Sequence, residues 1–156
     1  MDAYTLLKVL HVIGATVLLG TGAGIAFFMV MAHRTGDARF VAQTAKVVVI
    51  ADWLFTAGAV VLQPLTGAAL AAMAGYPLFR GWIAASLALY LVAGAFWIPV
   101  VWMQGRMRDL ARAAADAGQP LPAAYERLYR LWFAFGFPAF AAVIGTVWLM
   151  VAKPSL

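Results

Sequence analysis

The chain has 156 residues, of which 65% are hydrophobic and 11% charged, and no cysteine. A soluble domain carries about a quarter charged residues, so this composition excludes a water-soluble fold. The formal charge of +5 would suggest nucleic acid in a soluble protein, but here the basic residues flank apolar runs, where membrane topology accounts for them and no nucleic-acid partner is needed. Without cysteine, disulfides, iron–sulfur clusters and thiolate metal sites are excluded, and any bound metal uses His, Met or oxygen ligands.

One bilayer crossing takes about 20 mostly apolar residues. The first apolar run extends from about Tyr4 to Ala32. It begins after Asp2 and reaches His33 and Arg34 without a cleavage pattern, so it reads as a retained span rather than a signal peptide. Gly20 and Gly24 form a GxxxG within it, a spacing that permits close helix packing, read here as packing inside the monomer. The second run covers Val47 to Met73, the third Trp82 to Met103 and the fourth Leu131 to Ala152. Between the last two lies the polar stretch 104–130. Its RMRDLARAAADAG part extends the third helix into water until Gly118, and PAAYERLYR opens the fourth helix. Pro64, Pro99 and Pro138 fall within spans, where they either shape a cavity or bend a helix. The expected fold is all-α, a polytopic membrane four-helix bundle forming a single transmembrane domain over residues 1–156.

Orientation follows from the basic residues near the span ends. Arg34, Arg39 and Lys46 follow the first span, and Arg106, Arg108, Arg112, Arg127 and Arg130 surround the long loop; only Lys8, Arg80 and Lys153 lie at the other side. This asymmetry predicts an inner-membrane protein with both termini periplasmic and residues 104–130 in the cytoplasm. Tyr76 and Trp82 at one boundary, with Trp102, Tyr129 and Trp132 at the other, read as interfacial anchors.

Polar residues inside spans are the candidates for function. His11 lies near the outer boundary, and Ala15, Leu18 and Gly22 on its face are mostly small, leaving room for a flat ligand such as haem b. The structural alternative is a histidine hydrogen-bonded to a neighbouring helix. Gln63, at similar depth, is its candidate neighbour. His33 lies roughly 33 Å away along the same helix, so a bis-histidine haem would require a second chain or two separate sites. Bordering Arg34, His33 reads as a solvated structural residue.

Asp52 is the costliest residue of the second span, at roughly 2.5–3.5 kcal/mol for a charge at the bilayer centre. Asp52, Thr56, Ala59, Gln63 and Thr66 follow the spacing of one helix face, which is expected to line the bundle interior. Asp52 then either handles a proton or ligand, or pairs with Arg34, Arg106 or Arg130 to fix helix register. Ser86, Tyr90, Trp97, Val101 and Gln104 form a comparable line on the third span. Nucleotide-binding loops, paired catalytic carboxylates and nucleophile elbows are absent from the sequence.

The segments LKVLHVIGATVLLG, MAHR, YRLWFAFGFPAF and WLMVAKP resemble the predicted integral membrane proteins of domain of unknown function family 2269, over nearly the whole chain. That family implies no activity. LKVLH, the histidine ending the first span, the W-I-x-x-S-L-A-L opening of the third and the final K-P also bear a distant resemblance to four-span membrane protoporphyrinogen oxidases and copper resistance D domains. The oxidase resemblance implies haem at His11, as the candidate ligand of the iron. The chain departs from the oxidase pattern at Ala84 and Ser86, at Trp97, and at Phe135 and Gly136, so an intact oxidase site is not expected. Three functions stay open: a haem-binding or redox-associated protein served by a homodimer or membrane redox partner, a noncatalytic accessory protein, and a small proton-coupled, copper or porphyrin transporter using the Asp52 face.

Overall fold

A computed structural model describes residues 2–155. Helix α1 (Ala3–Thr35) starts where the Asp2 carboxylate accepts the Thr5 N–H at 2.7 Å. It stops at Gly36, whose φ of 66° takes the left-handed conformation natural to glycine. Asp37 then caps α2 (Ala38–Ala51) by accepting the N–H groups of Arg39 and Phe40 at 2.8 and 3.2 Å. Only Gly36 and Asp37 separate the helices. Arg39 and Lys46, expected in a loop, therefore sit on the first turns of α2, an amphipathic extension of the second span.

The α2 helix passes through a π-helical turn at Asp52–Thr56 into α3 (Ala57–Met73), giving one continuous rod. Its buried stripe is Val41, Ala45, Val48, Asp52, Thr56, Ala59, Gln63 and Thr66. The steps alternate four and three except around Asp52, where two fours fall in succession. From Val41 to Thr66 the stripe takes seven steps over 25 residues, close to the 3.6 residues of an α-helical turn, so one face is kept from α2 through the π turn into α3. The third span is α4 (Gly81–Asp116), which continues through the arginine-rich stretch; the fourth is α5 (Ala123–Ala152).

All four helical rods are long and apolar enough to cross a membrane. Their outward faces carry exposed Trp53, Leu54, Val61, Leu65, Leu91, Ile98 and Val151, a surface that requires lipid. α1 packs on α2 and α3, α4 packs on α5, and α2 joins the two hairpins through α4. The charged end, where α1 finishes and α5 begins, holds the tight core: Met29, Val41, Met107 and Tyr125 are fully buried. Toward the terminal end α3 makes no comparable packing with α4 or α5, and the hairpins diverge.

Candidate functional site

Near the termini a polar seam joins α1 to α3. Gln63 Nε2 donates to the His11 carbonyl at 2.8 Å, and His11 Nδ1 lies 2.8 Å from Thr66 Oγ1. The Thr66 hydroxyl also lies 2.8 Å from the Leu62 carbonyl; donating there leaves its oxygen to accept an Nδ1–H, with the imidazole lone pair on Nε2. Two glycines make this approach possible. A methyl group at Gly14 would collide with the Gln63 amide, and one at Gly67 would stand 3.2 Å from His11 Cε1. Gly20, Gly22 and Gly24 meet nothing comparable on another helix, so the close contact of α1 falls at Gly14 and not at the expected GxxxG.

Where the hairpins diverge they enclose a cavity of about 660 Å³. Gly22 and Ile25 of α1, Gly94 and Ile98 of α4, and Gly136 and Phe137 of α5 are among its mostly apolar walls. Asp52, Thr56, Tyr90, Trp97, Gln104 and Trp132 supply the polar atoms. Leu91, Ile98 and Phe137 are exposed as well as lining, so the space opens sideways toward the hydrocarbon. Volume and lining are those of a site for a small lipophilic molecule.

The polar end is built around Asp52, which is only 3% exposed. Trp97 Nε1 donates to Oδ1 over a long 3.4 Å. In the amide orientation that satisfies both its neighbours, Gln104 donates to Asp52 Oδ2 at 3.1 Å and accepts from Trp132 Nε1 at 3.2 Å. Thr56 Oγ1 is buried and has no hydrogen-bond partner among the described residues. Across the cavity, Tyr90 donates to the Val60 carbonyl at 2.5 Å. Pro64 has no N–H to give that carbonyl, so a side chain of α4 satisfies what the helix leaves open.

The sequence pattern of DUF2269, described as "Predicted integral membrane protein", matches residues 5–154. The chain belongs to this family. No curated protein and no solved structure matches it.

In this DUF2269 chain the sequence-derived candidates divide into two places. His11 and Gln63 meet, but they do so in the α1–α3 seam, outside the cavity. Asp52, Thr56 and Tyr90 line the cavity together. Ser86 does not join them; its hydroxyl bonds back to the Trp82 carbonyl at 2.8 Å. The arginine partner considered for Asp52 is not found, since the ion pairs among the described residues all lie elsewhere.

Two further expectations change. Trp132 is no interfacial anchor: it is 4% exposed and holds Gln104 in place. His33 is not simply solvated. Its ring stacks on Tyr129 at 3.6 Å between centroids, and its Nδ1 is buried without a partner among the described residues.

The residues do not fit a haem seated in the cavity on His11. The lining contains no histidine or methionine, and the His11 ring packs against Gly67 with Nδ1 held at Thr66. Among the described residues no group of three or more His, Cys, Asp or Glu is placed to hold a metal ion.

Proposed function

We propose that this integral membrane protein binds a lipophilic molecule within the bilayer, seated between the two hairpins with its polar end against Asp52 and Thr56. The observation that carries the reading is the unpartnered Thr56 hydroxyl beside a buried carboxylate at one end of an otherwise apolar, laterally open cavity. An unpaired buried hydroxyl is costly, and a ligand that bonds to it recovers the loss. In the same proposal the basic end faces the cytoplasm of an inner-membrane protein, as eight of the eleven Lys and Arg lie there.

The test is equilibrium binding of a neutral solvatochromic lipophilic dye to the protein in lipid nanodiscs. Gly94→Leu and Gly136→Leu place bulk in the cavity wall, where the first side-chain carbon at either glycine meets nothing within 4 Å. Saturable dye emission that both substitutions abolish is the expected result. Emission no greater than that of empty nanodiscs sinks the proposal.

A further inference from the structure

Resting on the binding reading above, we infer that the cavity selects lipophilic organic cations, such as an ammonium or phosphonium carried on apolar groups, with Asp52 as the counter-charge and the surrounding aromatic rings as the remainder of the cradle. The argument begins with what Asp52 lacks. Its contacts from protein are neutral: Trp97 donates at 3.4 Å, Gln104 at 3.1 Å, and the Thr56 hydroxyl stands beside the same carboxyl; no Lys, Arg or His forms an ion pair with it among the described residues. The cavity lining contains no cationic side chain at all. Lys46 lies about 9 Å away along the helix axis, on the exposed face.

A carboxylate at membrane depth costs roughly 2.5–3.5 kcal/mol, which two neutral hydrogen bonds offset only in part. A cation entering the cavity supplies the missing charge. Trp97 and Trp132 line the Asp52 end of the cavity, and aromatic faces attract a cation through the ring quadrupole. Thr56 Oγ1, unpartnered, presents a further oxygen dipole.

Other ligand classes fit less well. An anion meets the Asp52 charge with no basic side chain to offset it. A bare metal ion meets too few oxygen or nitrogen ligands in walls that are otherwise apolar. A neutral lipid fills the walls but leaves the carboxylate as it was. The sideways opening past Leu91, Ile98 and Phe137 suits a solute that partitions into the bilayer before it binds.

Tetraphenylphosphonium and tetraphenylborate have nearly the same shape and opposite charge, so they separate charge selection from cavity filling. Binding of each to the native chain in nanodiscs of uncharged lipid is measured against empty nanodiscs, and the comparison needs no variant to fold. The inference expects saturable tetraphenylphosphonium binding, at least about tenfold tighter than that of tetraphenylborate. Asp52→Asn removes that preference, and Gly94→Leu blocks the cation with Asp52 intact. Equal binding of both ions, or preference for the borate, overturns the charge inference and leaves the cavity reading standing. Saturable binding of neither ion overturns the charge inference; the neutral dye then decides whether the cavity reading falls with it.

Discussion

Tyr90 of α4 donates its hydroxyl to the carbonyl of Val60 on α3, the acceptor that Pro64 deprives of its helical N–H. The bond ties together the two hairpins on the side where they otherwise separate. Tyr90→Phe should lower stability by about 1–2 kcal/mol, read as a fall in the unfolding midpoint in detergent. Restoring the N–H with Pro64→Ala should shrink the effect of Tyr90→Phe. A double-mutant cycle that comes out additive would remove the proposed dependence of one residue on the other.

The α1–α3 seam leads to a second expectation. Gly14→Ala drives a methyl group into the Gln63 amide and should cost about 1–3 kcal/mol. Combining it with Gln63→Ala should recover part of that loss, because the clash goes with the amide. Thermal denaturation of the four proteins in one detergent measures both, and a double variant less stable than Gly14→Ala alone contradicts the assigned contact.

His11→Ala tests the seam from its other side. Losing the bond to Thr66 should lower the melting temperature without altering the visible absorption of protein purified from haem-supplemented cells. A Soret band present in the native protein and absent from His11→Ala would restore the haem assignment and displace the structural one.

At the start of α1 the prediction concerns pH. The Thr5 N–H bonded to Asp2 holds the carboxyl below its ordinary value of 3.8. The capping contribution is thus fully present above 3.8 and is lost as pH falls through the lower native value. The protection of the Thr5 amide, its exchange rate divided into the intrinsic rate at each pH, should fall on acidification in that window and remain flat in Asp2→Ala. Unchanged protection in the native chain would mean that the cap does not hold.

Much of this architecture is written in the sequence because lipid enforces it. Long apolar runs must be helical when no water is present to satisfy the backbone, so four spans are read directly. The buried face from Asp52 to Thr66 is legible for the same reason, as polar residues in a span turn inward. Depth alone pairs His11 with Gln63. The contact at Gly14 is not legible, since a glycine reveals its partner only when helix rotation is known, and the more familiar GxxxG draws attention to the wrong turn.

The polar lining is legible, since Asp52 and Thr56 on one span and Tyr90, Trp97 and Gln104 on the next form stripes that can face one another across a pocket, but the volume and sideways opening arise from the divergence of two hairpins, a property of helix axes that no local pattern records. Trp132 reads as an anchor from its place beside a charged segment, and only its orientation toward Gln104 gives it an interior role. The π turn leaves no trace in the spacing, because the buried stripe from Val41 to Thr66 keeps close to the α-helical period across it.

The widened turn at Asp52–Thr56 also limits how this chain can change in length. Deleting one residue from the regular helix beyond it, between Ala57 and Leu62, would turn everything after the deletion by about 100°, swinging Gln63 and Thr66 off α1 and uncoupling the seam from the cavity in a single step, whereas the wide turn can give up one residue and close to an ordinary α-helical turn. The same deletion in the non-helical link before Pro122 leaves both in place. Codon loss should therefore be tolerated between α4 and α5 and purged from the first turns of α3, even where every remaining residue is apolar.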